Sequence, residues 1–288
     1  MEAREAIASR KGKSPRTRVK RSRWRLARFW PSRALRRRWW RAFDRAPRSA
    51  QIIVCVVLAA TASLTINWIY QVVRKPSELF FPVSSTLNKT PAETWRQYQP
   101  AFEKYSTSVM TPELLAALAQ VEGSGNPVAR TYWRWSWTLH PFGVYRPASS
   151  AVGMYQITDG TFAEAKRYCI RDHVVVEDGP WKDWSSCWFN NLYVRVIPNH
   201  SIELTSAYLD RAVVHTLERN HVSAASPRQK RELAAVIHLC GAGAGDLFAR
   251  HRFRLNDGQR CGDHEVRVYV SRVNAMENVF TRLAAAAD

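Results

Sequence analysis

The chain reads TPELLAALAQVEGSGNP from Thr111 to Pro127. Thr111 is a typical N-cap residue and a proline follows it at the first helical position, so this stretch predicts a helix. Leu114, Leu118 and Glu122 are spaced at i, i+4 and i+8, which places a carboxyl group on the apolar face that should meet the core. Two glycines and Pro127 follow at once and end the helix next to Glu122.

The carboxyl of Glu122 is therefore expected in an unfavourable place for a negative charge. Burial on the apolar face and the negative end of the helix dipole both disfavour the charged form. A carboxylic acid that keeps its proton near neutral pH is the group that protonates the leaving oxygen when a glycosidic bond is cleaved. A carboxyl at a frayed helix end that simply reaches water explains the same pattern, and periodicity alone leaves both interpretations open.

The N-terminal part of the chain combines a basic tail with an uncharged apolar segment. Residues 1 to 48 hold 18 Lys and Arg against 3 Asp and Glu. The chain carries +19 in all, of which +15 falls in this tail, so residues 49 to 288 carry only +4. Residues 49 to 73 contain no charge, and about 20 apolar residues suffice to cross a bilayer as a helix. We predict a tail over 1–48 and a transmembrane helix over 49–73.

The charge asymmetry also predicts an orientation. Basic residues are far more numerous before the span than after it, where Arg74 and Lys75 follow, so the tail should stay cytoplasmic and the rest should be exported. The alternatives for the span are a cleaved signal peptide or a buried globular helix. From Arg21 to Arg45 the tail predicts an amphipathic helix on anionic lipid. Nucleic-acid binding is the alternative for such a run, and lipid is favoured because the tail adjoins a span.

The exported part is predicted to be mainly helical. Residues 74–91, with three prolines, read as a linker. Thr90, Pro91 and Glu93 then form a capping-box signature that starts a helix toward Tyr105. Residues 92–288 are predicted as one domain, with the stretch 173–176 as its strand-like element. Further helical patterns occur at 161–168, 202–218, 228–239 and 265–286.

Four cysteines lie beyond the span, an even number that predicts two disulfides in an oxidising compartment. They are Cys169, Cys187, Cys240 and Cys261, while Cys55 lies in the span. Three pairings are possible, and Cys169–Cys187 with Cys240–Cys261 closes the shortest loops. Zinc is the alternative, because His173 and His264 follow two of these cysteines, but neither spacing is a strong zinc signature.

Four motifs occur in a characteristic order along residues 95 to 280. The first is Glu122-Gly-Ser-Gly-Asn-Pro and the second is Gly153-Met-Tyr-Gln-Ile-Thr-Asp-Gly-Thr; the third is Ile237-His-Leu-Cys-Gly and the fourth is Glu265-Val-Arg-Val-Tyr-Val-Ser-Arg-Val. The set resembles the soluble lytic transglycosylase family, whose motifs are E-S-x-x-N-P, G-L-M-Q-I-x-P-x-T, A-Y-N-x-G and E-T-x-x-Y-V-x-x-V.

The resemblance implies a lysozyme-like, goose-type helical fold and cleavage of the MurNAc–GlcNAc bond of peptidoglycan. Glu122 matches the catalytic Glu of that family, which acts first as acid and then as base to give a 1,6-anhydro product. No cofactor and no metal are implied. Residues that match substrate-binding positions or lie beside them are Gln156, Gly153, Met154, Ser124, Tyr269 and His238. Tyr269 also sits on an apolar stripe, so a purely structural role for it stays open.

The chain departs from the family pattern at several positions. Gly123 replaces the Ser that follows the Glu, and Asp159 stands where the family has Pro. In the third motif, His238 and Leu239 replace Tyr and Asn, and His238 either supplies a hydrogen bond or is an ordinary helical histidine. An aromatic insert over residues 132–146 lengthens the distance between the first two motifs. It could wall the cleft and contact glycan, or pack against the domain or the outer leaflet.

These observations predict a peptidoglycan lytic transglycosylase anchored in a bacterial inner membrane, with its N-terminus cytoplasmic and its catalytic domain periplasmic. The expected partners are glycan strands, the membrane and an envelope-spanning complex, and no nucleic acid. A hydrolytic muramidase on the same fold is a close variant. A catalytically inactive, glycan-binding scaffold is the alternative from another class, and the altered third motif is its main support.

Overall fold

The computed structural model describes residues 33–80, 84–138, 140–183 and 186–286. The chain divides into two compact units, residues 1–61 and 62–288, each considered separately below. In the first unit, helix α1 spans Arg33–Arg45, and each of its residues is at least partly exposed. The predicted amphipathic helix is confirmed over this range. Its beginning, from Arg21 to residue 32, lies outside the described residues.

Helix α2 spans Arg48–Arg74 and confirms the predicted apolar helix over 49–73. Within the described part of the chain it is the one helix long and apolar enough to cross a membrane. Its 27 residues extend about 40 Å at the usual rise per residue. Its two buried residues are polar, Asn67 and Gln71, and both belong to the second unit.

The second unit is built around helix α4, Pro112–Gly123, whose residues Leu114 to Ala119 are all buried. Helices α3 (Pro91–Lys104) and α9 (Val266–Ala285) pack against it. Both predicted N-caps are confirmed: Thr90 forms a capping box with Glu93, and the Thr111 hydroxyl accepts from the Leu114 amide. The remaining helices are α5 (Asp159–Ala165), α6 (Pro198–Arg219), α7 (Pro227–Cys240) and α8 (Ala242–Arg250).

Three short antiparallel hairpins complete the second unit, and its class is mainly α, as predicted. Strand β3 (Tyr168–Arg171) pairs with β4 (Val174–Glu177), which confirms the strand-like stretch at 173–176. The other two hairpins were not predicted. They are β1 (Trp133–Trp135) with β2 (Tyr145–Pro147), and β5 (Arg260–Cys261) with β6 (His264–Glu265).

Two disulfides join Cys169 to Cys187 and Cys240 to Cys261, the pairing that closes the shortest loops. The expectation of two disulfides is confirmed. The zinc alternative loses its thiolate ligands, because each of the four sulfurs is bonded to one other sulfur in a disulfide.

The residues of the predicted linker, 74–91, belong to the second unit. Two short 3₁₀ turns, Pro76–Phe80 and Ser84–Leu87, lie within this segment. Glu78 is fully buried and forms ion pairs of 3.2 Å with both Lys75 and Arg130. It also accepts a hydrogen bond of 2.7 Å from the Trp133 indole N–H. The prolines prevent a regular helix in this segment, but the turns that form instead bury a charged network.

Candidate active site

Side chains from three helices meet at one carboxyl oxygen, Oε1 of Glu122. Glu122 lies in the last turn of α4, and its side chain is 17% exposed. The Tyr269 hydroxyl, from α9, donates a hydrogen bond of 2.5 Å to Glu122 Oε1. His238 Nε2, from α7, lies 3.7 Å from the same oxygen. Glu122 is thus neither frayed nor freely hydrated, which was the alternative to an active-site placement.

Tyr269 combines the two roles that the sequence left open. Its ring is buried in the apolar stripe of α9, next to Val266, Val270 and Val273. Burial raises the pKa of Tyr269 well above 10, and the charge of Glu122 and the hydrogen bond between them add to this shift. The hydroxyl therefore keeps its proton and acts toward Glu122 as a donor.

Glu122 opens into a cleft of about 740 Å³. Three of the predicted site residues line it with Glu122, namely Gln156, His238 and Tyr269. The Cys240–Cys261 disulfide forms part of its wall. The other lining residues are Val121, Thr131, Ser149, Ala151, Thr158, Leu239, Gly262, His264 and Arg272.

Gln156 reaches the cleft from a constrained turn. Its backbone has a φ of +48°, and its side-chain amide donates to the Gly153 carbonyl at 2.8 Å and the Ala129 carbonyl at 3.2 Å. Gly153 has a φ of +81°, and a Cβ there would lie 2.5 Å from the Arg195 carbonyl oxygen. The turn therefore needs glycine at 153, as expected for close approach, and the approaching group is this chain's own backbone.

Met154 was predicted to bind substrate, and for its side chain this prediction is wrong. The side chain is completely buried and serves packing. Ser124 adopts the left-handed conformation, φ 50°, as the C-cap of α4, and its carbonyl accepts from the Lys89 amide at 2.8 Å. Ser124 and Gly153 thus have structural roles, and their contact with substrate stays a prediction.

The structure accounts for one departure from the family pattern. A Cβ at Gly123 would lie 2.7 Å from the Met154 Cα and 2.8 Å from its carbonyl oxygen. These are backbone atoms, which cannot move aside as a flexible side chain would. The residue after Glu122 must therefore be glycine here, because α4 and the turn at 153–156 touch at this point.

Arg272 is a cleft residue that the sequence did not bring forward. It lies three residues after Tyr269 on α9, so the two side chains share a helix face. The sequence signal that could have identified Arg272 was a basic residue three positions after the motif tyrosine. It gives the cleft a cation suited to an acidic group on a ligand.

The aromatic insert does not contribute its aromatic rings to the described lining of the cleft. Thr131 and Ser149, which flank the insert, do line it. The insert forms the β1–β2 hairpin, in which the Tyr145 ring packs against Trp133 and Trp135 with centroids at 5.0 and 4.6 Å. These ring contacts lie within the hairpin, so contact of the insert with glycan stays a prediction.

Comparison with known proteins does not assign the chain to a family. No protein-family model matches it. No curated protein matches it significantly either. The assignment of a function therefore depends on the motifs and on the geometry of the cleft around Glu122.

Proposed function

We propose that the protein cleaves the MurNAc–GlcNAc bond of peptidoglycan as a lytic transglycosylase with a lysozyme-like fold. The observation that carries this proposal is Glu122 at the wall of a large cleft, held by the Tyr269 hydroxyl at 2.5 Å. The ordered motifs support it, since Gln156 and Tyr269 come from two of them and line the same cleft.

Glu122 performs both proton transfers in the proposed reaction. As the acid, it protonates the glycosidic oxygen, the bond from that oxygen to the MurNAc C1 breaks, and GlcNAc leaves with a free 4-hydroxyl. As the base, the resulting carboxylate removes the proton of the C6 hydroxyl while O6 bonds to C1. The products are a 1,6-anhydro end and Glu122 in its initial protonated state. The Tyr269 hydrogen bond is strongest to the carboxylate, so it stabilises the stage between the two transfers.

The composition of the cleft favours a single-carboxylate mechanism. A glycosidase with two carboxylates needs the second about 5 to 10 Å from the first. Among the described residues that line the cleft, Glu122 is the one carboxylate. Asp159, which lies in the second motif, instead forms an ion pair of 2.8 Å with Arg195.

The proposed setting is the periplasmic side of a bacterial inner membrane. Helix α2 would cross the membrane, the basic tail would lie on anionic cytoplasmic lipid, and the domain would meet glycan strands beside an envelope-spanning complex. The apolar composition of α2 and the two disulfides support this setting. The charge difference across α2 supports the orientation.

The test uses the full chain in detergent micelles, incubated with purified peptidoglycan. Wild type, Glu122→Gln and the control Glu113→Gln, on the first turn of the same helix, are compared by the mass of released muropeptides. We expect wild type and Glu113→Gln to release fragments lighter by one water than reducing-end muropeptides, and Glu122→Gln to release none. Full-mass reducing ends would identify a hydrolase. Binding of glycan without release by any of the three would identify the scaffold.

A further inference from the structure

We propose that the β1–β2 hairpin is a membrane-contact element that lies in the headgroup region of the leaflet from which α2 emerges. The surface consists of the exposed aromatic and basic side chains of residues 132–146. This inference rests on the membrane part of the proposed function, that α2 spans a bilayer, and not on the catalytic activity.

Two buried amides attach the hairpin to α2. Asn67 Nδ2 donates to the Tyr145 carbonyl and Gln71 Nε2 donates to the Phe142 carbonyl, both at 2.7 Å. The rings of Tyr70 and Phe142 stack between them with centroids 4.8 Å apart. Polar side chains near the end of an apolar helix thus have their partners in the hairpin, which fixes its position along α2.

The position of this attachment along α2 sets the depth of the hairpin. A helix needs about 20 residues to cross the hydrocarbon core. Counted from Ser49, that length ends at about Trp68, between the two attaching amides. The hairpin reaches further back, because Tyr132 and Trp133 share an apolar cavity of about 430 Å³ with Leu64. Leu64 lies about 15 Å before Arg74 along the helix axis. The hairpin thus contacts α2 on both sides of Trp68, at the depth where the hydrocarbon core would end.

The side chains that the hairpin presents suit that level. Trp135 is 67% exposed, and Trp137 and Tyr132 are also largely exposed. Large aromatic side chains exposed to water are costly, whereas tryptophan and tyrosine are enriched at membrane interfaces. Tyr132 shares the apolar cavity with Leu64 and Trp68 of α2, so the exposed rings adjoin the helix that is proposed to span the bilayer.

Basic side chains accompany these rings. Arg134 and Arg146 are directly opposite in the hairpin register, and both are exposed. Arg146 and Arg74 line a small cavity of about 140 Å³ at the end of α2. Asp159 also lines this cavity, but its charge is balanced by Arg195 at 2.8 Å. Arginine beside tryptophan fits the phosphates and the upper acyl chains of phospholipids.

The test is photo-crosslinking from the hairpin in the full chain. The protein is reconstituted in vesicles of phosphatidylethanolamine and phosphatidylglycerol, with benzoylphenylalanine in place of Trp137. The control carries it in place of Trp181, which is also largely exposed, at 64%, but lies between the two cysteines of the Cys169–Cys187 loop. After irradiation, lipid adducts are counted by intact mass. We expect at least ten times more lipid adduct from position 137 than from position 181.

Equal adduct yields at the two positions, or an adduct at 137 with added glycan strands in place of lipid, would overturn the proposal. Asn67→Leu combined with Gln71→Leu should lower the lipid adduct at 137 at least fivefold, because the hairpin loses its attachment. An unchanged yield would refute the role of the two amides. Extraction of the vesicles with alkaline carbonate distinguishes failure of the proposed span from failure of the hairpin contact. Release of the chain would refute the span of α2 as well, whereas retention of the chain without a lipid adduct would refute the hairpin contact alone.

Discussion

Replacing Glu78 by alanine should release the hairpin and the turn that follows α2. Glu78 is 0% exposed, and its partners Lys75 and Arg130 are only 8% and 18% exposed at the side chain. The substitution removes two ion pairs of 3.2 Å and the acceptor of the Trp133 indole, so two nearly buried cations lose the carboxylate that they share. Breaking one side of a buried ion-pair network costs about 3 to 5 kcal/mol.

This cost should appear as local opening. At 1.4 kcal/mol per factor of ten, 3 to 5 kcal/mol corresponds to about a 100- to 4000-fold increase in the opening equilibrium. Hydrogen exchange of the β1–β2 amides, measured by mass spectrometry on the full chain in micelles, reports that equilibrium directly. Glu78→Gln should lie in between, because it keeps an acceptor for Trp133 but loses the charge.

Glu177→Ala is the matched control. Its ion pairs with Arg167 and Arg211, at 3.0 and 3.1 Å, involve side chains that are 32 to 54% exposed, far more than those of the Glu78 network. Such surface pairs contribute about 0 to 1 kcal/mol. Hairpin exchange in Glu78→Ala no faster than in Glu177→Ala would refute the reasoning that burial makes the Glu78 network stabilising.

Three further outcomes are expected. Tyr269→Phe should slow muropeptide release about 10- to 150-fold, the value of a hydrogen bond to a charged group, while glycan binding persists; a rate within threefold of wild type would contradict a role for the bond to Glu122. Gly123→Ser should lower the free energy of unfolding by about 1 to 3 kcal/mol, because its Cβ meets backbone, whereas Gly160→Ser, with open space around it, should be neutral in the same melts. Burial raises the pKa of Asp210, so the folded state binds its proton more tightly than the unfolded chain, whose value is near 3.9; wild-type stability is lost as pH rises from about 4 through that raised pKa. Asp210→Asn should therefore melt higher than wild type at pH 7 and equally below pH 4, and a lower melting temperature at pH 7 would show that its hydrogen bond from Thr107 outweighs the charge.

The features that the sequence predicted well are set by neighbours in the chain. Thr90 with Glu93 and Thr111 with Pro112 specify helix starts through contacts three residues apart, and both helices begin where expected. The apolar run of α2 needs no partner to be recognised. Short loop closure likewise favoured the disulfide pairing that the structure contains, such as Cys169–Cys187.

The features that were missed depend on distant partners. Glu78 reads as a linker residue until Arg130, 52 positions away, and Trp133 are brought to it. The hairpin looked like an irregular insert because its position is fixed by amides of α2, more than 70 residues earlier. In the site, the contact between Glu122 and Tyr269 joins positions 147 apart. Motif resemblance predicted that both belong to one cleft, and local periodicity alone could not.

The buried turn after α2 also limits where the proposed enzyme can work. Lys75, the first residue beyond the helix, donates a hydrogen bond of 3.3 Å to the Thr131 hydroxyl, and Thr131 lines the cleft. An enzyme on a flexible tether searches a volume set by the length of the tether. In the proposed setting, the folded turn after α2 would leave no such tether, and the fold would then limit how far the cleft reaches from the bilayer. Lengthening the chain between Lys75 and Glu78 would be the way to change which layer of the wall it reaches.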